Sequence, residues 1–265
     1  MSRARTEKRE PCASKAGQAA VVWWAFYAWG ILVTMPVDTV FLDAGGVLVF
    51  PNWARVAAVL ARHGVRADAR ALAEAEPHAK RAMDVPPGRA AATTDQQRGW
   101  VYFNLVLECA GLARSDRTDA ALADLHAYHQ QRNLWEHVPA DVPPALDALR
   151  ALGFRLVVVS NANGLLRALF SRVGLAAKVD LLFDSHEEGV EKPDPRLFRI
   201  ALARAGAAPD TTVHVGDLYH VDVVGARAAG LHAVLFDVAG LYPDADCPRI
   251  RALGELPDLL RHGLA

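Results

Sequence analysis

The chain has little cysteine, little lysine and no surplus of either charge. Its three cysteines, Cys12, Cys109 and Cys247, stand far apart in 265 residues. That excludes a disulfide framework and a paired-thiolate metal knuckle, and it fits a reducing, cytoplasmic compartment. With 29 Lys and Arg against 30 Asp and Glu the formal charge is -1. No basic stripe with interleaved aromatics occurs, so neither nucleic acid nor an anionic membrane surface is expected as a partner. Of the 29 basic residues only Lys8, Lys15, Lys80, Lys178 and Lys192 are lysines, so a lysine at a motif position stands out. Hydrophobic residues at 52% and charged residues at 22% exclude a disordered or collagen-like chain. The one long apolar run, residues 19–34, falls short of the roughly 20 residues a spanning helix needs, and no A-x-A-like cleavage site follows it. Residues 1–34 therefore read as an N-terminal extension without a role in the fold, with Met35 as the natural start and no stable membrane insertion.

From Val37 the pattern becomes short apolar runs separated by helical stretches. TVFLD (39–43), FRLVVVS (154–160), VDLLFD (179–184), TTVHVGD (211–217) and HAVLFD (232–237) are apolar on both faces, as strands of a covered parallel sheet are. Helices are expected near 164–174, 195–206 and 221–229, the first N-capped by Asn163, with Gly174, Gly206 and Gly230 past their ends. This alternation predicts an α/β fold, a three-layer Rossmann-like core. Residues 53–140 break it. They hold no convincing strand and four amphipathic stretches, beginning at Trp53, Ala67, Trp100 and Thr118, with 86–97 read as a loop. We expect a core of residues 35–52 and 141–265 and an inserted helical domain at 53–140.

Ligands of such sheets bind beyond the carboxyl ends of the strands, and four of those ends carry reactive groups. Asp43 closes the first strand and is followed by Ala44-Gly45-Gly46-Val47-Leu48. Ser160-Asn161 closes the second, Lys192 stands in Lys192-Pro193-Asp194-Pro195 after the third, and Gly216-Asp217 closes the fourth with Asp222 five residues on.

The order of these motifs, DxxGVL, VVVSN, KPDP and GDxxxxD, resembles the haloacid dehalogenase-like hydrolases over residues 37–240. The resemblance implies a helical cap at 53–140 and a hydrolase acting on a small phosphorylated molecule. Asp43 would be the nucleophile, forming an aspartyl-phosphate. Ser160 and Asn161 would donate hydrogen bonds to the phosphoryl oxygens, and Lys192 would supply positive charge to nucleophile and phosphoryl group. Mg2+ would be held by Asp43, Asp217 and the Gly45 carbonyl, with Asp222 bound through water or holding the loop. A monomer or dimer is expected.

One position departs from that pattern. Phosphatases of the family carry a second Asp, two residues after the nucleophile, that protonates the leaving alcohol; here it is Gly45. Loss of a positioned general acid costs about 10²–10⁴-fold in rate. Three readings stay open: a phosphatase whose proton comes from elsewhere, His220 being one source; a poorly active phosphate-binding protein; and a 2-haloacid dehalogenase, whose leaving halide needs no proton. Good leaving groups (acyl or aryl phosphates) are expected to be preferred, and Gly45→Asp is expected to raise activity on alkyl phosphates. Substrate choice would lie in the cap. Asn52 and Trp53 would lie near the site. His78, Lys80, Arg81, Arg89 and Arg98 read as solvated residues, and Trp100, Tyr102 and Phe103 as cap core.

Overall fold

The computed structural model describes residues 37–84 and 95–264, with backbone alone for 95–98. The expectations for residues 1–34 and for Arg89 lie outside it, as does the side chain of Arg98.

Six parallel strands form one sheet in the order β3-β2-β1-β4-β5-β6. They are β1 Thr39–Leu42, β2 Arg155–Ser160, β3 Leu181–Asp184, β4 Thr212–Gly216, β5 His232–Phe236 and β6 Arg249–Ile250. The helices in chain order are α1 Trp53–Arg62, α2 Ala69–Met83, α3 Asp95–Cys109, α4 Asp116–Arg132, α5 Val142–Ala151, α6 Leu166–Arg172, α7 Ser185–Glu188, α8 Pro195–Ala205, α9 Val224–Ala228 and α10 Leu256–His262.

Strand β1 pairs with both β2 and β4, so it lies at the middle of the sheet. Successive side chains leave a strand on opposite faces. Val40 and Leu42 accordingly enter one hydrophobic cluster, with α5, α6 and α10, and Phe41 enters the other, with α8 and α9. Each such fully buried Phe or Leu contributes about 1.5–3 kcal/mol. Because all six strands run the same way, Asp43, Ser160 and Asp217 emerge at one edge of the sheet.

Helices α1–α4 pack around a cluster of their own, built on Trp53, Val56, Leu60, Leu72, Leu122 and Leu125. Two segments join this cluster to the sheet. They pair through Phe50 and His137, each amide donating to the other's carbonyl, and through the Asn52 amide to Leu134 O.

Several expectations change. Helix α5 was hidden by Pro143 and Pro144, which sit in its first turn, where proline is tolerated. The two-residue strand β6 and helix α10 have no strong periodic signal, and β3 is shorter than its apolar run. Part of the expected loop at 86–97 is helical, since α3 begins at Asp95. Asn163 does not cap α6. The Gly164 and Leu166 amides donate instead to Asp184 Oδ2, from the neighbouring strand, while the Asn163 amide pairs with the His129 ring of α4.

Candidate active site

The first turn beyond β1 brings the site together. Ala44 O accepts the Leu48 and Val49 amides, folding 44–49 into a tight loop. Gly46 has φ 86°, and a Cβ there would stand 2.2 Å from Asp217 Oδ2 and 2.3 Å from Lys80 Nζ. Only glycine allows this approach. Gly216 is held similarly, since its Cβ would meet Asp222 Cγ at 2.1 Å.

The four strand-end motifs converge. Asp43 Oδ1 accepts from the Ala44 amide at 2.7 Å and lies 3.0 Å from Lys192 Nζ. Lys192 is 2% exposed and donates also to Asp222 Oδ1 at 2.7 Å. Asp222 Oδ1 further pairs with His214 Nε2 at 2.9 Å, and its Oδ2 accepts the Leu218 amide. Against the cost of burial, Asp222 and Asp43 hold Lys192 above its ordinary pKa, so its charge is permanent. Burial of Asp222 is likewise overcome by Lys192 and His214, which keep it well below the usual carboxylate range. His214 is lowered, chiefly by burial.

Ser160, 4% exposed, ends β2 and lines the same cavity as Asp43. Asn161 follows it and has a further partner. Its Nδ2 donates to the Lys192 carbonyl at 2.9 Å and its Oδ1 accepts the Lys192 amide at 2.7 Å. Its side chain thus fixes the lysine's backbone, and the residue lines the same cavity as Asp43 and Ser160.

Helix α2 adds a cation that the sequence reading placed in solvent. Lys80 Nζ lies 2.7 Å from Asp217 Oδ2 and 2.8 Å from Glu76 Oε1, one turn back on the same helix. Glu76 is 4% exposed, and it also accepts from Tyr102 Oη at 2.8 Å and Trp53 Nε1 at 3.2 Å. Burial pushes the Asp217 carboxyl up to about 7; Lys80 pulls against that rise, and Asp43 and Asp222 add to it. Lys80 itself is held above its ordinary value by Asp217 and Glu76 despite its burial.

The same helix end docks on the core twice more. Arg81 Nε donates to Leu241 O, and its guanidinium lies 4.7 Å from the centre of the Tyr242 ring. Buried Asp84 accepts the Tyr219 and His220 amides and Tyr242 Oη, and pairs with His220 Nδ1. His220 is therefore tied to Asp84. His78 is exposed. Asn52 caps α1 through the Arg55 amide, and with Trp53 it lines a separate cavity.

Asp43, Asp217 and Asp222 each offer an oxygen within 4.8 Å of the others. The bonds described engage Asp43 through Oδ1 and Asp217 through Oδ2, leaving the second oxygen of each for a cation. Carboxylate oxygens gathered this closely suit a hard divalent ion. Asp222, with both oxygens engaged, fits a role through water or in holding the loop. At Gly45 a Cβ would meet Trp135 Cδ1 and Nε1, both at 3.4 Å, so the indole packs against this position.

Two cavities meet at the Lys80–Asp217 pair. One, of about 350 Å³, is lined by Asp43, Gly45, Ser160, Asn161 and Lys192 and by residues of α3 and α4. The other, of about 770 Å³, reaches Asp217 and Lys80 but not Asp43. Among the described residues, no helix is long and apolar enough to cross a membrane.

Residues 37–230 match the family model described as haloacid dehalogenase-like hydrolase. The chain is 31% identical to the bovine haloacid dehalogenase-like hydrolase domain-containing protein 3 over 184 residues, 68% of this chain and 72% of that one. The mouse protein of the same name is 42% identical over 98 residues, which is 38% of its length. A ribulose-1,5-bisphosphate 5-phosphatase of Halopiger xanaduensis is 32% identical over 70% of this chain and 77% of its own. Among solved structures, the magnesium-bound HAD-hydrolase YfnB of Bacillus subtilis aligns over 85% of this chain and 99% of its own, with TM-score 0.61 at 18% identity. The L-2-haloacid dehalogenase of Xanthobacter autotrophicus aligns over 86% and 100%, with TM-score 0.55 at 22% identity. These two share the fold.

Proposed function

Since the chain belongs to the haloacid dehalogenase-like hydrolases, we propose that it is a Mg2+-dependent phosphatase of small phosphorylated molecules that works through Asp43. The observation that carries this reading is the triad Asp43–Lys192–Asp222, sealed by burial, beside an Asp217 whose second oxygen is open to a cation. The phosphatase names of relatives from Halopiger xanaduensis and Thermus thermophilus support it.

The Asp43 carboxylate, aimed by the Ala44 amide and kept charged beside Lys192, attacks phosphorus through one of its oxygens. The bond to the leaving oxygen breaks, leaving an aspartyl-phosphate and RO⁻, which takes its proton from water. Water then attacks phosphorus and releases phosphate from Asp43. The Ser160 hydroxyl and the Lys192 ammonium face the transferring group, and Asn161 keeps the lysine in register. Mg2+, held by Asp43, Asp217 and the Gly45 carbonyl with Asp222 behind, would neutralise phosphoryl charge. Residues 53–140 serve as a cap that excludes water over a core of 35–52 and 141–265.

A second reading, carbon–halogen hydrolysis, is favoured by the glycine at position 45, which supplies no acid, because a halide leaves without a proton. The test is phosphate release from an aryl phosphate with and without Mg2+, beside halide release from 2-haloacids. Metal-dependent phosphate release supports the phosphatase. Halide release without metal supports the second reading. Phosphate binding without either turnover points to a binding protein.

The structure changes what Gly45→Asp should do. A Cβ at Gly45 would be in ordinary contact with the Trp135 indole, so that ring limits where a carboxylate added there can point. The pair Gly45→Asp with Trp135→Ala should raise kcat/KM on alkyl phosphates by about 10-fold or more, a part of what a positioned acid supplies. Unchanged turnover in the folded double variant means another group already donates the proton.

A further inference from the structure

The 350 Å³ chamber has two unlike ends. One holds Asp43, Ser160 and Lys192. The other is walled by Trp100, Tyr102, Phe103, Leu122, Leu125 and Trp135. Tyr102 turns its hydroxyl away, to Glu76, and so offers the chamber its ring. Its ring centre lies 5.0 Å from that of Phe103 and 5.7 Å from that of Trp135, and those two are 5.8 Å apart. The aromatic wall is thus packed on itself and preformed. Only two of the described lining residues are lysine or arginine, Lys80 and Lys192, and both already lie between carboxylates. His126, His129, Gln130, Asn133 and Asn163 also line the chamber, polar but without the fixed charge of a lysine or arginine. The volume is near the lower end for ligand pockets.

We propose that the leaving group this site accepts is compact, apolar and preferably aromatic, so that the phosphoryl group is the substrate's only charge. The inference rests on the phosphatase reading for its reacting end. It joins two separate observations: the aromatic wall, and a glycine at position 45 that offers a departing oxygen no acid side chain. Phenols and similar weakly basic leaving groups satisfy both.

The test separates shape from leaving-group chemistry. Benzyl phosphate and glycerol phosphate both release alkanols, but only the first matches the wall. Phenyl phosphate and 3-carboxyphenyl phosphate release similar phenols, but the second adds a charge. The first of each pair should show kcat/KM about 10-fold higher or more, carried mainly by KM. Trp100→Ala should reduce the benzyl-to-glycerol ratio by about 10-fold, the order an aromatic contact contributes. Equal or better turnover of glycerol phosphate overturns the inference. If no phosphate compound, acetyl phosphate included, is hydrolysed, the phosphatase reading fails, and binding decides the inference alone. Benzylphosphonate must then bind more tightly than 2-hydroxyethylphosphonate, measured calorimetrically on the full chain; the reverse order overturns it.

Discussion

Asp43→Asn should lower phosphate release by about 10⁴-fold or more, as removal of a covalent nucleophile does, in a protein that remains folded. The shapes match, and an asparagine oxygen can still accept the Ala44 amide that Asp43 Oδ1 accepts at 2.7 Å. What goes is charge. The amide is a poor nucleophile, and Lys192 keeps only Asp222 as an ionised partner. That remaining pair is closed on itself by His214 and the Leu218 amide, which is why the loop should survive. Steady-state phosphate release measures the loss, and thermal unfolding shows that the fold is intact. Acid quenching of the wild type during turnover should trap phosphate on the peptide containing Asp43, and the variant should show none. Residual activity near wild type would remove Asp43 from the nucleophile's role.

The core motifs could be read in the sequence because each is local to the end of a strand buried on both faces. Such strands appear as apolar runs, and a parallel arrangement forces their last residues to one edge. Asp43, Ser160, Lys192, Asp217 and Asp222 were found in this way. Lys80 was not, because nothing in a helix's own period says which partner its polar face meets. The available signal was the Glu76–Lys80 spacing of four on α2 together with the scarcity of lysine, and it marks a pair without locating it. Trp135 and Asp84 were missed for the same reason: their partners, Gly45 and the 219–220 amides, are distant in sequence. Asn163 was misread as a cap because the acceptor for the α6 amides comes from β3. For Asn161 the residue type and position suit a substrate role, and only the geometry adds that its side chain also holds the Lys192 backbone.

Lys80→Met should destabilise the metal-free protein by about 3–5 kcal/mol near neutral pH, the usual result of removing one partner from a buried ion pair. The ammonium lies between Asp217 and Glu76, whose side chains are 8% and 5% exposed, so its loss leaves two buried carboxylates without their shared cation. The pH dependence identifies the cause. The Asp217 carboxyl rises on folding from 3.8 to about 7, so the folded state binds the proton more tightly than the unfolded chain does. Stability from this group is fully present below about pH 4 and is lost as the pH climbs through about 7. In the wild type Lys80 opposes that loss. In the variant nothing does, so the gap in unfolding temperature between the two should be small at pH 4–5 and widest at pH 8. Mg2+ binds the ionised carboxylates, so saturating Mg2+ should restore more stability to the variant than to the wild type at pH 8 and little to either at pH 5. A gap independent of pH, or one that Mg2+ leaves untouched, would mean that Lys80 serves only to pack α2 against the core.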